Sequence, residues 1–325
     1  MNELKEGLQL EKNIWTNKYF AVILAVIACL LWGSAFPVLK LTYAELNLRP
    51  DDVASRVLLA GARFFLASVM TFLVVKFGMK SRLSIGKKWL LPLIVLGIFQ
   101  TGLQYFFFYN GIAHVSGVKS AILSSMGNFF VVLAAHFIYK NDRLNIAKVF
   151  GLLTGFLGII LVNRNPEGGG INWNFRLVGE GFMIFSGLTS TIGTFSAKKL
   201  TSNLNPVLVN AYQLLFGSLL LIAVGLPKGI QPHITFTPVF WGLLLYSAFL
   251  SATAFSIWYN LLKYNKAGEI TIYRFMIPIS GSLLSALLIP GERLTSGIII
   301  ALILVALGIA AVNYFGRNKA TTSET

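Results

Sequence analysis

The sequence predicts an all-α membrane protein of ten transmembrane helices, built as two inverted five-helix repeats. Three observations lead there: a composition too apolar for a water-soluble domain, ten apolar runs of spanning length, and a passage written twice at one offset. Of 325 residues, 55% are hydrophobic and 12% charged, whereas soluble domains carry about 25% charged residues. A span needs about 20 apolar residues. Such runs fall at 19–40, 57–76, 89–110, 118–139, 146–163, 177–197, 206–226, 239–262, 269–289 and 297–316.

The repeat is clearest near the C-terminus. GERLTSGIIIALILVALGIAAVN at 291–313 is the counterpart of NDRLNIAKVFGLLTGFLGIILVN at 141–163, with Leu144/Leu294, Gly158/Gly308 and Asn163/Asn313 among the identities. The same ungapped offset of 150 pairs Tyr109–Asn110 with Tyr259–Asn260, Met126 with Met276, Ser68 with Ser218 and Val57 with Val207. Shared composition would not keep register through polar loops, so this is an internal duplication. The earlier stretch, 19–40, pairs more loosely with 177–199. NRNPEGGGINWN at 163–174 is rich in helix breakers and separates the halves.

These boundaries divide the chain into an N-terminal segment at 1–18, a first repeat at 19–163, a linker at 164–176, a second repeat at 177–316 and a tail at 317–325. Each repeat holds an odd number of spans, so a tandem copy must sit upside down relative to the first. Inverted repeats recur in secondary transporters, where substrate binds near the midplane between halves.

A net charge of +15 raises the question of nucleic acid. The basic residues instead sit in short loops between apolar runs, where they orient a membrane protein. Of 27 Lys and Arg, 17 lie in the segments that share a side with the termini, eight lie on the opposite side, and Arg63 and Arg274 fall inside spans. The expected placement is a multi-pass protein of the cell membrane with both termini cytoplasmic. The single cysteine, Cys29, excludes an internal disulfide. A lipoprotein cleavage site at VIAC, 26–29, is the poorer reading, because the apolar run continues past Cys29.

Several motifs carry a family likeness: WGSAFP at 32–37, GARFFLASV at 61–69, the turns DRL at 142–144 and ERL at 292–294, and the endings GIILVN and GIAAVN. Together with ten spans and the duplication, they resemble the two EamA domains of the drug/metabolite transporter superfamily. The resemblance covers nearly the whole chain. It implies a transporter rather than an enzyme, no cofactor, and a cavity faced by span 1, hence by Trp32 and Ser34. Family members commonly carry Pro in both repeat-equivalent helices; here Pro278 stands in span 9 and Asn128 in span 4. Unequal gating elements are therefore expected.

The residues themselves supply further site candidates. A charge inside a bilayer is costly and needs a reason. Arg63 is read as structural or substrate-binding. Arg274 is read as a substrate anchor, because Pro278 removes one intrahelical bond and frees the carbonyl four residues earlier, that of Arg274. Gln104, Asn128, Tyr212, Gln213 and Trp258 are expected to line the cavity, with Pro278 as the hinge. Clusters of Ser and Thr, such as Ser186, Ser190 and Thr194, more often serve helix packing. Gly151 and Gly155 form one GxxxG, read as packing inside the first half, with a homodimer as the minor alternative. Mid-span Asp and Glu are missing, which weighs against a proton-coupled antiporter of cationic drugs.

The expected function is alternating-access transport of a small metabolite through the lipid bilayer, with export of amino acids or related carboxylates ahead of nucleotide-linked or cationic drug-like substrates. A membrane enzyme is the remote alternative: three His, one Cys and no HExxH pattern leave little for metal chemistry. No metal site and no nucleic-acid partner are expected. Fluorescent-protein fusion at Thr325 should give fluorescent cells, and alkaline phosphatase at the same point should be inactive; the reverse pair would place the C-terminus outside.

Overall fold

A computed structural model describes residues 15, 17–49, 52–112, 114–115, 117–162, 175–231, 233–289, 294 and 296–321. Most of the N-terminal segment, the 163–174 linker and the Glu292–Arg293 part of the second acid-Arg-Leu turn lie outside them. The described residues are helical with no strand. In chain order the helices are α1 (Lys18–Glu45), α2 (Val53–Leu73), α3 (Lys87–Gly97), α4 (Gln104–Ile112), α5 (Gly117–Ile138), α6 (Ile146–Val162), α7 (Phe182–Thr201), α8 (Pro206–Gly225), α9 (Pro238–Tyr264), α10 (Ala267–Thr271), α11 (Met276–Leu288) and α12 (Ser296–Thr321). A π-helical stretch, Ile98–Leu103, fuses α3 and α4 into one rod, and a 3-10 stretch, Ile272–Phe275, joins α10 to α11.

Sequence punctuation explains several ends. Asn17 accepts from the amides of Tyr19 and Phe20 at the start of α1, and Asn205 accepts from Val207 and Leu208 at the start of α8. Pro206 and Pro238 occupy first-turn positions, where a missing amide hydrogen has no cost.

Among the described residues, six helical rods are long and apolar enough to cross a membrane: Tyr19–Glu45, Val53–Gly78, Lys87–Gly111, Pro206–Lys228, Pro238–Tyr264 and Ala267–Leu288. Leu123–Ile138, Ile146–Leu161 and Ser296–Val312 are shorter apolar helices. The hydroxyl-rich α7 buries Ser186, Thr189, Ser190, Thr191 and Thr194. Polarity is inverted relative to a soluble protein. Phe137, Ile146 and Leu287 point outward at 77%, 89% and 68% exposure, while Asn210 and Gln213 are completely buried. An apolar exterior around a polar interior is the pattern of a multi-pass membrane protein.

The helices pack most closely where small residues let backbones meet. Along α2 and α8, a Cβ on Gly61 would lie 2.7 Å from Ile222, and Ser68 Oγ donates to Ala211 O at 2.9 Å. In the α1/α11 crossing, a Cβ on Gly33 would sit 2.1 Å from Ser280 Oγ. Gly127 of α5 and Gly187 of α7 face each other directly. The expectation for Gly151 and Gly155 needs correcting. Gly151 meets Val312, Ile272 and Gly308, and Gly155 meets the Phe275 ring. These contacts tie α6 to α12 and to the 3-10 stretch, so they join the two halves of the chain rather than close one of them. Apolar α6 has no hydrophobic preference between neighbours in lipid, and shape complementarity selects its partner.

One buried ion pair also joins the halves. Lys148 Nζ donates to Asp142 Oδ1 at 2.5 Å and to Arg143 O at 3.0 Å, and both side chains are 2% exposed or less. Asp142 Oδ2 accepts from the Gly268 amide at 2.7 Å, in the first turn of α10. The acid of the DRL turn thus meets the positive end of a helix in the second half. His136 Nδ1 accepts from the Leu144 amide at 3.0 Å and holds the same turn. Removing one partner of a buried pair typically costs about 3–5 kcal/mol. Asp142→Asn should therefore lower the melting temperature in detergent clearly, and adding Lys148→Met should recover much of the loss. Equal melting of the parent and both variants would show that the pair contributes nothing.

Candidate functional site

A cavity of about 180 Å³ lies in the middle of the bundle, walled by α1, α2, α4, α5, α7, α9, the 3-10 stretch and α11. Arg274 is among its lining residues. The helix is irregular there because Pro278 cannot complete the ladder, and the chain passes through 3-10 turns at 272–275 before α11 begins. The repeat-equivalent α5 carries Asn128 in place of proline and runs unbroken from Gly117 to Ile138.

The guanidinium of Arg274 is held by rings. Its Cζ lies 5.9 Å from the Trp32 ring centre and 5.8 Å from that of Trp258. Those rings meet edge-on at 5.5 Å, and Phe255 closes on Trp32 at 5.1 Å. The Arg274 Nε is buried and has no hydrogen-bond partner among the described residues. Two aromatic faces are a cation–π cradle, but they do not satisfy N–H donors. No Asp or Glu stands among the described residues that line the cavity.

Arg63, the other intramembrane arginine, is occupied. Its Nε donates to Ser251 Oγ at 2.9 Å and to Ser247 O at 3.1 Å, which ties α2 to α9. It also borders the cavity with Tyr109, whose hydroxyl is bonded to that of Tyr43. Gln104 is placed by the π-helical stretch. Its Oε1 accepts from Gln100 Nε2 at 2.9 Å, and its backbone carbonyl accepts from Ser186 Oγ at 2.9 Å. π-bulges often mark functional positions because they rotate side chains out of the regular register.

Of the residues singled out from sequence, Trp32, Arg63, Gln104, Asn128, Arg274 and Pro278 line this cavity. Trp258 lies behind it as one wall of the Arg274 cradle. Three expected lining residues are elsewhere. Ser34 bonds to Leu31 O and Tyr246 OH, on the face of α1 toward α9. Tyr212 donates to Leu83 O at 3.0 Å and packs on Phe72 and Phe216. Gln213 pairs with Thr101 and accepts from Tyr259 OH at 3.2 Å. The last two sit on α8, which packs along α2 and contributes nothing to the cavity wall. Their polar groups are satisfied between helices, the ordinary fate of amides and phenols buried in a membrane bundle.

Phe255, Ile277 and Phe36 are lining residues that sequence reading passed over, because apolar side chains in apolar spans carry no signal of their own. The repeat held a usable one. At the offset of 150, Tyr105 corresponds to Phe255, Ser124 to Arg274, Gly127 to Ile277 and Asn128 to Pro278, and all eight line the cavity.

An apolar-coated helical bundle around a small, largely apolar cavity bordered by a buried cation is consistent with a multi-pass membrane protein. Residues 19–164 and 177–314 match the EamA-like transporter family, and the chain belongs to that family. An uncharacterized transporter of Archaeoglobus fulgidus is 25% identical, covering 89% of this chain and 97% of its own length. The uncharacterized transporters YoaV and YvbV of Bacillus subtilis are 24% and 25% identical, over 92% and 90% of this chain and 99% and 91% of theirs. A solved crystal structure shares the fold with a TM-score of 0.75 at 16% identity, covering 93% of this chain and 99% of its own. Relatives named as transporters fit a protein that is not an enzyme.

Replacing Arg63 removes two charge-assisted hydrogen bonds, each worth about 1.5–3 kcal/mol. Arg63→Ala should melt well below the parent, and Arg63→Lys should recover only part, since a single ammonium does not reproduce the guanidinium geometry. Unchanged melting of Arg63→Ala would remove its structural role.

Proposed function

We propose that this protein is a secondary transporter of a small organic carboxylate, amino acids included, working by alternating access between two inverted five-helix repeats in the cell membrane. One observation carries the substrate reading: a guanidinium bordering a central cavity, whose buried Nε lacks a partner among the described residues. Burying a cation with nothing to receive its N–H groups is unfavourable. A carboxylate accepts two parallel N–H bonds from a guanidinium, so substrate arrival completes a site that is deficient when empty. The cavity, at about 180 Å³, is below the ~300–1,000 Å³ of drug-sized pockets. That favours a small metabolite over a nucleotide-linked or bulky drug-like substrate.

The packing pattern supports the inverted architecture. Under the repeat correspondence α1 maps to α7 and α5 to the α10–α11 rod, so the α1/α11 crossing maps onto the α7/α5 crossing, and both exist. The α2/α8 and α6/α12 contacts map onto themselves, as pairs lying on a pseudo-two-fold axis do. Alternating access then exchanges the conformations of the halves around the cavity. The anchor is carried by one half alone, because the counterpart of Arg274 is Ser124. The lysine-rich ends of α7 and α9 are cytoplasmic in this arrangement, and export is the direction we assign.

In liposomes holding purified protein, a panel of radiolabelled amino acids and organic anions should show saturable flux for one carboxylate class. Arg274→Ala should reduce that flux by at least tenfold, as expected for a lost charged contact of about 1.5–3 kcal/mol, with Arg274→Lys intermediate. Parent-like flux of every anionic and zwitterionic substrate through Arg274→Ala would end the anchor reading. Flux confined to cationic or nucleotide-linked compounds would replace the substrate class.

A further inference from the structure

A second concavity, lined by none of the same residues, lies at the lysine-rich ends of α5, α7 and α9. It is an open groove of about 560 Å³. Tyr139 and Phe195 form one wall, with ring centres 5.8 Å apart. Lys198, Lys199 and Lys263 supply three cations, and no acidic residue stands among the described lining residues.

The three lysines are not equivalent. Lys198 is committed to the fold: its Nζ donates to Leu262 O at 2.7 Å and Asn265 O at 2.5 Å, capping the C-terminal carbonyls of α9. The ammonium groups of Lys199 and Lys263 make no hydrogen bond or ion pair among the described residues; Lys263 rests only over the Tyr264 ring, at 5.1 Å. Two uncompensated cations at the rim of a concave, acid-free groove attract an anion.

The surface below the groove identifies the kind of anion. Leu188, Ile192, Phe195 and Lys199 follow one another at spacings of four, three and four residues, so they share one face of α7. Leu188 and Ile192 are 40% and 46% exposed. On the facing helix, Phe137 and Ile138 are 77% and 55% exposed beside the same groove. An outward apolar track therefore runs into a basic pocket at the helix ends. That sequence of surfaces, apolar and then cationic, matches an acyl chain and its phosphate, and basic pockets between membrane helices do bind anionic headgroups.

We propose that this groove is a binding site for an anionic phospholipid, with the phosphate received by Lys199 and Lys263 and an acyl chain lying along Phe195, Ile192 and Leu188. The named lipid contacts all lie on α7 and α9 of the second half, with Ile138 and Tyr139 of the first half bordering the same groove. Lipid binding at this groove does not depend on which substrate is transported.

The test is native mass spectrometry of the delipidated full-length protein, titrated with phosphatidylglycerol or phosphatidylcholine of identical chains. Phosphatidylglycerol should form adducts at a concentration on the order of tenfold lower, the effect of two lysines near an anionic headgroup. The double variant Lys199→Gln/Lys263→Gln should lose that preference, and Lys199→Arg/Lys263→Arg should keep it. If the glutamine variant does not fold, Ser202→Glu on the exposed rim should abolish the preference instead. Equal binding of the two lipids, or preference retained in the glutamine variant or in Ser202→Glu, would overturn the site. Stripping of phosphatidylglycerol by millimolar inorganic phosphate would overturn the lipid reading in favour of a free-anion site.

Discussion

In hydrocarbon, a backbone amide or carbonyl without a partner has no water to turn to. That constraint organises the whole molecule. It makes the described chain helical, and it confines irregular backbone to places shielded by other helices. Of the two departures in the interior of long rods, the 3-10 stretch at 272–275 puts Arg274 on the central cavity, and the π-helical stretch at 98–103 ends where the lining residue Gln104 begins α4. Carbonyls in or next to them are met by side chains: Ser186 bonds to Gln104 O, and Cys29 Sγ approaches Tyr273 O at 3.3 Å. The same distortions position Gln104 and Arg274, so the site exists where the helical ladder is broken and repaired.

The second organising fact is how polar side chains are shared out. Hydroxyls such as those of Thr42, Thr71 and Thr194 bond within their own helix, while the larger polar groups are committed between helices. Asn210 Nδ2 donates to Ala252 O and Ser256 Oγ, Gln213 joins Thr101 to Tyr259, and Arg63 holds Ser247 and Ser251. These bonds hold α2, α8, α9 and the 98–103 stretch as one block. Arg274 differs in kind, with two indole faces and no acceptor for its buried Nε among the described residues.

Sequence periodicity and punctuation located the helices closely. The run read as 146–163 is α6 at Ile146–Val162, and that read as 206–226 is α8 at Pro206–Gly225. The site was legible in part. Arg274, Pro278, Asn128 and Gln104 stood out because charge, imino acid and amide groups are expensive in a membrane span. Tyr212 and Gln213 stood out for the same reason and are interhelical ties, since expense alone does not separate a group bonded to a neighbouring helix from one facing a cavity. The partners of Gly151 were misassigned for a related cause: a small residue announces a close approach without naming what approaches.

The sequence by itself determined the helical class, the positions of the rods, the duplication at an offset of 150 and the costly residues within them, because each depends on local propensity or on letters compared with letters. Only the tertiary structure decided which helices meet, and therefore which polar groups are satisfied. Arg63 and Arg274 look alike in one dimension. Ser247 and Ser251 reach the first, and two tryptophans from α1 and α9 enclose the second. That difference rests on contacts such as Arg63–Ser247 and Arg274–Trp32, far apart in the chain, which only close packing of the helices brings together.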